Sequence, residues 1–255
     1  MSLAAMFAAT RERHEIALVP YVTAGYPSTG ASLDFIDQAA LAGADAIEIG
    51  LPFSDPVADG PTIQFASHQA LESGFKTRAF LEALSARRRP CPLILMTYLN
   101  PLLALGPNAF ATLAEAGIKA VVIPDLPEEE AASMSEGAAR SGIDMVLLAA
   151  PTSSDERLRR IGSASRGFVY VVGVVGTTGA RLKADPALPA ILDRVRRATS
   201  LPLVAGFGLS DPSHLQAITA HADGAIVGSR LVDAIRQGED FAALIRSFKQ
   251  ATRRH

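Results

Sequence analysis

The stretch "EIGLPFSDPVADGPTIQ" (residues 48–64) carries three acids, Glu48, Asp55 and Asp59, among prolines, glycines and small polar side chains. Carboxyls held in different surroundings can divide acid and base work. A desolvated one keeps its proton near neutral pH, while a hydrated or hydrogen-bonded one stays an anion. Asp55 precedes Pro56 and Asp59 precedes Gly60, and both dipeptides also make ordinary turns. For Asp55 the turn and the functional readings stand level. For Asp59 a helix is expected to begin near Pro61, which anchors the residue and favours function.

A second group lies towards the C-terminus. "GFGLSD" and "GSRLVDAI" set Gly206, Gly208, Gly228 and Ser229 at expected helix starts, where bare backbone N–H groups and the helix dipole favour a phosphate. Between them and the acids, "VVGTTGARLKADP" (174–186) adds Gly176, Thr177, Thr178 and Gly179. Its length and glycine content suit either a lid or a passive surface loop.

These groups need elements to position them. Short β-branched runs recur at 16–22, 45–50, 92–98, 119–125, 144–150, 167–173, 201–207 and 224–229, making eight expected strands. The pieces between them, such as "STGASLDFIDQAALAG" and "EEEAASMSEGAARSG", place apolar residues three and four apart and end in Gly, as amphipathic helices do. Eight strand-then-helix units predict a single (β/α)8 barrel, one domain over 1–255 with an extra helix before the first strand. An open doubly wound sheet is the alternative. Active sites of such barrels lie at the C-terminal strand ends, and the loops after strands seven and eight are the usual phosphate seat. In "DAIEIG", alternation sends Ile47 and Ile49 towards the helices and Ala46, Glu48 and Gly50 into the barrel. An inward carboxylate there is costly unless it is hydrated, paired or used.

Composition sets the bounds. The chain has 255 residues, 49% of them hydrophobic, so it can bury a large core. A net charge of −2 gives no electrostatic case for nucleic acid or an anionic membrane. The lone Cys91 excludes an internal disulfide and a cysteine-based metal cluster. The first fifteen residues do not read as a signal peptide, and no apolar run is long enough for a bilayer, so the cytosol is expected.

"GADAIEIGLPFSDPVADGPTIQ" closely resembles the signature of the tryptophan synthase α subunit family. The likeness continues in order through "LVPYVTAGYP", "LMTYLNP", "VIPDLP", "VYVVGVVGTTGAR", "AGFGLS" and "IVGSR". It implies retro-aldol cleavage of indole-3-glycerol phosphate to indole and glyceraldehyde 3-phosphate, with no metal or cofactor in this subunit. It also implies an α2β2 assembly in which a β subunit carries pyridoxal phosphate and receives the indole. The resemblance puts the catalytic acids at Glu48 and Asp59. It puts the indole pocket at Tyr21, Met96, Val122 and Tyr170, and a lid contact at Thr178. The phosphate falls to Gly179, Gly206, Gly208, Gly228 and Ser229, and Asp55 becomes a loop and partner-contact residue. Departures from the family pattern fall at Gln69, Leu99, Gly173, Val175 and Thr177 and bear on lid closure, partner communication and rate. A freestanding lyase and a non-catalytic binding or regulatory subunit are the other readings, the latter disfavoured by the retained acids. "NPLLALGPN" offers Pro101, Leu102, Leu103 and Leu105, more apolar than a solvated connection requires. It is either a buried helical turn or part of the partner surface.

Overall fold

Every one of the eight apolar runs forms a strand: β1 Ala17–Thr23, β2 Ile47–Gly50, β3 Leu93–Met96, β4 Ile118–Val122, β5 Asp144–Ala149, β6 Val169–Val172, β7 Leu203–Gly206 and β8 Gly224–Val227. In the computed structural model, which describes residues 1–173, 187–206 and 208–254, they close into a barrel in chain order, each parallel to its neighbours and β8 against β1. The open-sheet alternative is thereby excluded. Among the described residues no helix is long and apolar enough to cross a membrane.

Alternation sorts the side chains into two cores. Leu18, Val22, Ile47, Ile49 and Leu95 face outward and pack with helix residues such as Ile36, Phe80 and Leu113. Val19, Tyr21, Ile94, Val122, Phe168 and Tyr170 fill the barrel itself. Parallel strands covered by helices outside and packed with side chains inside are apolar on both faces, which is why they read as continuous runs.

The two ends of the barrel differ. The expected N-terminal helix, Leu3–Glu12, is capped by Ser2, whose side chain accepts from the Ala5 N–H. Its Leu3, Met6 and Phe7 join the inner core, and Phe7 meets Phe168 edge-on at 6.1 Å. This helix closes the N-terminal end. At the other end three helices frame the mouth: Pro61–Glu72, which starts with proline after Gly60, the five-residue Leu99–Leu103, and Ser229–Gln237. The first and last of these pack on each other and on β1, so the acidic loop and the glycine-rich helix start are held on one side of the mouth.

Candidate active site

Glu48 lies in mid-β2, in register with Tyr21 and Ile94, and is 1% exposed. Its Oε1 has no hydrogen-bond partner. Burial first, and the nearby Asp59 second, push its carboxyl up to about 8. It is therefore protonated at neutral pH, since a carboxylate denied water, donors and a counter-ion is the costlier form.

Asp59 reaches the same space from the loop between β2 and the helix Pro61–Glu72. Its N–H donates to the Pro56 carbonyl at 3.0 Å, and its own carbonyl accepts from Gln64 Nε2 at 2.8 Å. These contacts and the rigid Gly60–Pro61 entry fix the backbone. Burial raises its carboxyl to about 6, and the Tyr98 hydroxyl partly offsets this. Asp59 Oδ1 is also buried without a partner. The two acids thus differ in the direction needed for divided roles: Glu48 holds a proton at pH 7 and Asp59 is an anion. Asp55 is exposed and accepts from the Ser54 hydroxyl at 2.5 Å, so it stands apart from the acid pair.

Tyr98 is a residue that sequence reasoning left without a role. Its hydroxyl accepts the Ala58 N–H at 2.9 Å, and its ring lies 5.1 Å from that of Phe53. It therefore holds the acidic loop at two points, one beside Asp59. The signal was present in "LILMTYLNP": Ile94, Met96 and Tyr98 alternate, so the tyrosine continues the inward face past the end of β3.

The pocket residues expected at Tyr21, Met96, Val122 and Tyr170 all belong to the inner core. Both tyrosines lean over glycines. A side chain begun at Gly50 would come within 1.9 Å of the Tyr21 hydroxyl, and one begun at Gly206 within 2.3 Å of the Tyr170 ring. Gly50 and Gly206 are notches that admit those rings, so the glycine at 206 is required by packing whatever it also offers a ligand.

Gly208 and Gly228 are free of such neighbours. Gly208 has φ +74 and open space where a side chain would go, while Gly228, which caps the helix Ser229–Gln237, would meet only Ile63 and Tyr21, at 3.6 Å or more. Ser229 is the exposed first residue of that helix. Unbonded N–H groups at such a start suit an anion. Thr178 and Gly179, with Val175 and Thr177, lie outside the described residues. Of the remaining departures, Gly173 is buried and donates its N–H to the Gly206 carbonyl at 3.2 Å, and Gln69 bonds Glu72 on the outer helix at 2.9 Å. Leu99 donates its N–H to Asp125 at 3.0 Å, which starts the helix Leu99–Leu103.

A closed (β/α)8 barrel with two unequal carboxyls, one buried and one half-buried, and a glycine-lined helix start at its C-terminal mouth is a barrel enzyme equipped for acid–base chemistry on an anionic substrate. The family model described as "Tryptophan synthase alpha chain" matches residues 7–254. The tryptophan synthase alpha chain of Roseiflexus sp. (strain RS-1) is 43% identical over 239 residues, covering 92% of each chain. That of Deinococcus radiodurans is 40% identical, over 99% of this chain and 94% of its own. A structure of Mycobacterium tuberculosis tryptophan synthase superposes with a TM-score of 0.92 at 37% identity, covering 99% of this chain and 98% of that one. The chain belongs to the tryptophan synthase alpha chain family and is a carbon–carbon lyase that cleaves indole-3-glycerol phosphate.

Proposed function

We propose that Glu48 and Asp59 perform the cleavage, with substrate lying across the mouth from the helix start at Gly228 and Ser229 to the acid pair. The observation that carries this is the pair of buried, unpartnered carboxyl oxygens of unequal acidity at one mouth of the barrel. Glu48 gives its proton to indole C3, which leaves a cation on the ring nitrogen. The Asp59 carboxylate accepts that N–H and offsets the charge. The ionised Glu48 then takes the proton from the hydroxyl on the adjoining carbon. As the C=O forms, the C3–C bond breaks, its electron pair returns to the ring, and indole and glyceraldehyde 3-phosphate leave with no net proton change.

Tyr21, Met96, Val122 and Tyr170 form the apolar bed for indole, and Thr178 is the remaining substrate-binding residue. Gly179, Gly206, Gly208, Gly228 and Ser229 surround the phosphate. The whole chain acts as one domain, in the cytoplasm and without a cofactor of its own. A β subunit carrying pyridoxal phosphate is its partner, in an α2β2 assembly. Supporting a partner on this face, Val57 of the acidic loop is 82% exposed and Leu103 of the neighbouring helix 58% exposed.

The test is indole release by the purified chain and by Glu48→Gln and Asp59→Asn. Both variants should be severely impaired while still binding a phosphate-bearing indole ligand. Near-normal turnover in Glu48→Gln would remove it from the reaction.

A further inference from the structure

On the reading above, the path from phosphate to acids crosses the end of β1, which lies between β8 and β2 in the barrel. Tyr21 spans this gap. Its Cβ and Cγ are 3.7 and 3.9 Å from the point where a Gly228 side chain would start, and its hydroxyl is 1.9 Å from the corresponding point at Gly50. The side chain therefore runs from beneath the phosphate seat to the acid pair, along the line a bound glycerol chain must follow.

Thr23 is the next inward residue of β1. It pairs with Gly50 and is 1% exposed. Its hydroxyl lies beside the Tyr21 phenol but makes no hydrogen bond of normal length and angle, so Oγ1 is left buried and without a partner. Such an orphan is destabilising, because a buried polar group loses its water and gains no partner. Packing does not require it: valine has the same shape, and Val19 fills an inward position of the same strand. The phenol, for its part, is held well above its ordinary range by burial and the neighbouring acids, so it stays a neutral donor and acceptor.

We propose that the hydroxyls of Thr23 and Tyr21 recognise the two hydroxyls of the substrate's glycerol chain, making the end of β1 a polyol-reading element for the lyase. This rests on the lyase reading of the site. One substrate hydroxyl becomes the carbonyl, and its neighbour survives into glyceraldehyde 3-phosphate. Each requires a partner inside a water-poor mouth. A site built to bond hydroxyls rejects an analogue lacking them, because its own polar groups are then left unpaired.

The experiment uses two ligands, indole-3-glycerol phosphate and an analogue whose indole and phosphate are joined by an unsubstituted three-carbon chain. Affinities are measured by calorimetry in the Glu48→Gln background, where substrate is not consumed. Thr23→Val and Tyr21→Phe keep the shapes and should each weaken the glycerol ligand about 10-fold while changing the analogue by less than about twofold. Thr23→Ser should restore the preference. Equal losses for both ligands would mean a structural role, and unchanged affinity for both would mean no contact; either overturns the proposal. If neither ligand binds before β1 is altered, the lyase reading of the mouth fails, and this proposal with it. Either variant alone decides the matter if the other does not fold.

Discussion

Two buried carboxyls three residues apart show what separates structure from chemistry in this barrel. Asp45 sits just before β2 at the closed end, and Glu48 sits in mid-strand facing the open one. Asp45 accepts from Arg13 at 2.5 Å, from Lys249 at 2.7 Å and from the Leu18 N–H at 2.8 Å. It ties the N-terminal helix, β1 and the C-terminal helix together. Glu48 is more deeply buried, at 1% against 8% exposure, yet one of its oxygens bonds nothing. A saturated carboxylate is part of the scaffold. An unsatisfied one lowers stability, and a fold retains it where a ligand or a proton transfer completes it.

The largest expected effects test that contrast directly. Glu48→Gln should lower kcat by about 10³-fold or more and at the same time stabilise the protein. The sign follows from burial. The folded state raises the Glu48 carboxyl from 4.5 to about 8, so the folded chain binds that proton more tightly than the unfolded one. Stability from this group is full below about pH 4.5 and declines as pH rises through about 8. The gain in Tm for Glu48→Gln should therefore be larger at pH 8 than at pH 5. Asp45→Asn should do the reverse: lose about 2–3 kcal/mol by stranding Arg13 and Lys249, with kcat kept. Matching Tm losses in the two variants would erase the distinction.

Asp59→Asn is next, with a loss in kcat of about 10²-fold. In the unaltered protein kcat/KM should be greatest between about pH 6 and 8, falling on the acid side as Asp59 protonates and on the alkaline side as Glu48 loses its proton. Because the Asp59 charge helps to raise Glu48, Asp59→Asn should move the alkaline limb to lower pH and remove the acid limb. The two acids form a coupled pair, so these limbs belong to the pair. An alkaline limb that does not move would mean that the two carboxyls do not sense each other.

The same comparison applies to the glycines of the mouth. Gly206→Ala drives a methyl into the Tyr170 ring at 2.3 Å, and Gly228→Ala meets nothing nearer than 3.6 Å. The first should cost about 1–3 kcal/mol of stability. The second should leave the melting temperature nearly unchanged and weaken inorganic phosphate several-fold, because the methyl stands where the anion approaches the backbone. If both variants only lose stability, the phosphate seat is elsewhere.

How far the sequence reached depends on what each feature requires. The barrel was legible because each strand is short, β-branched and apolar on both faces, and because inward and outward positions of β2 could be assigned by alternation. The depth of Glu48 followed from the same alternation. Its lack of a partner did not, because that depends on side chains from several strands. That Gly206 also forms the notch for Tyr170 was not legible, since that residue lies one strand away in space and thirty-six residues away in sequence. Tyr98 was missed for a similar reason: its bond to the Ala58 N–H joins residues 40 apart. Of the two readings of "NPLLALGPN", the buried helical turn is seen in Leu102 and Leu105, which are buried, while Leu103 is exposed.

The smallest effect concerns the partner and runs through Tyr98. This residue starts the helix Leu99–Leu103, which presents Leu103 outward, and its hydroxyl and ring hold the loop that presents Val57. Pressure on either exposed residue therefore acts on the backbone next to Asp59. A β subunit docking there can favour the loop arrangement in which Asp59 faces the indole nitrogen, and the gain in rate equals its preference for that arrangement. Added β subunit should raise turnover at saturating substrate. Leu103→Asp should abolish the response while leaving the rate of the isolated chain within about twofold, since the residue is exposed. Tyr98→Phe should lower the isolated rate several-fold and move the acid limb to higher pH, because the hydroxyl that eases Asp59 ionisation is lost. A flat response to β subunit, with no complex by light scattering, would leave a lyase that works alone and confine Tyr98 to holding its own loop.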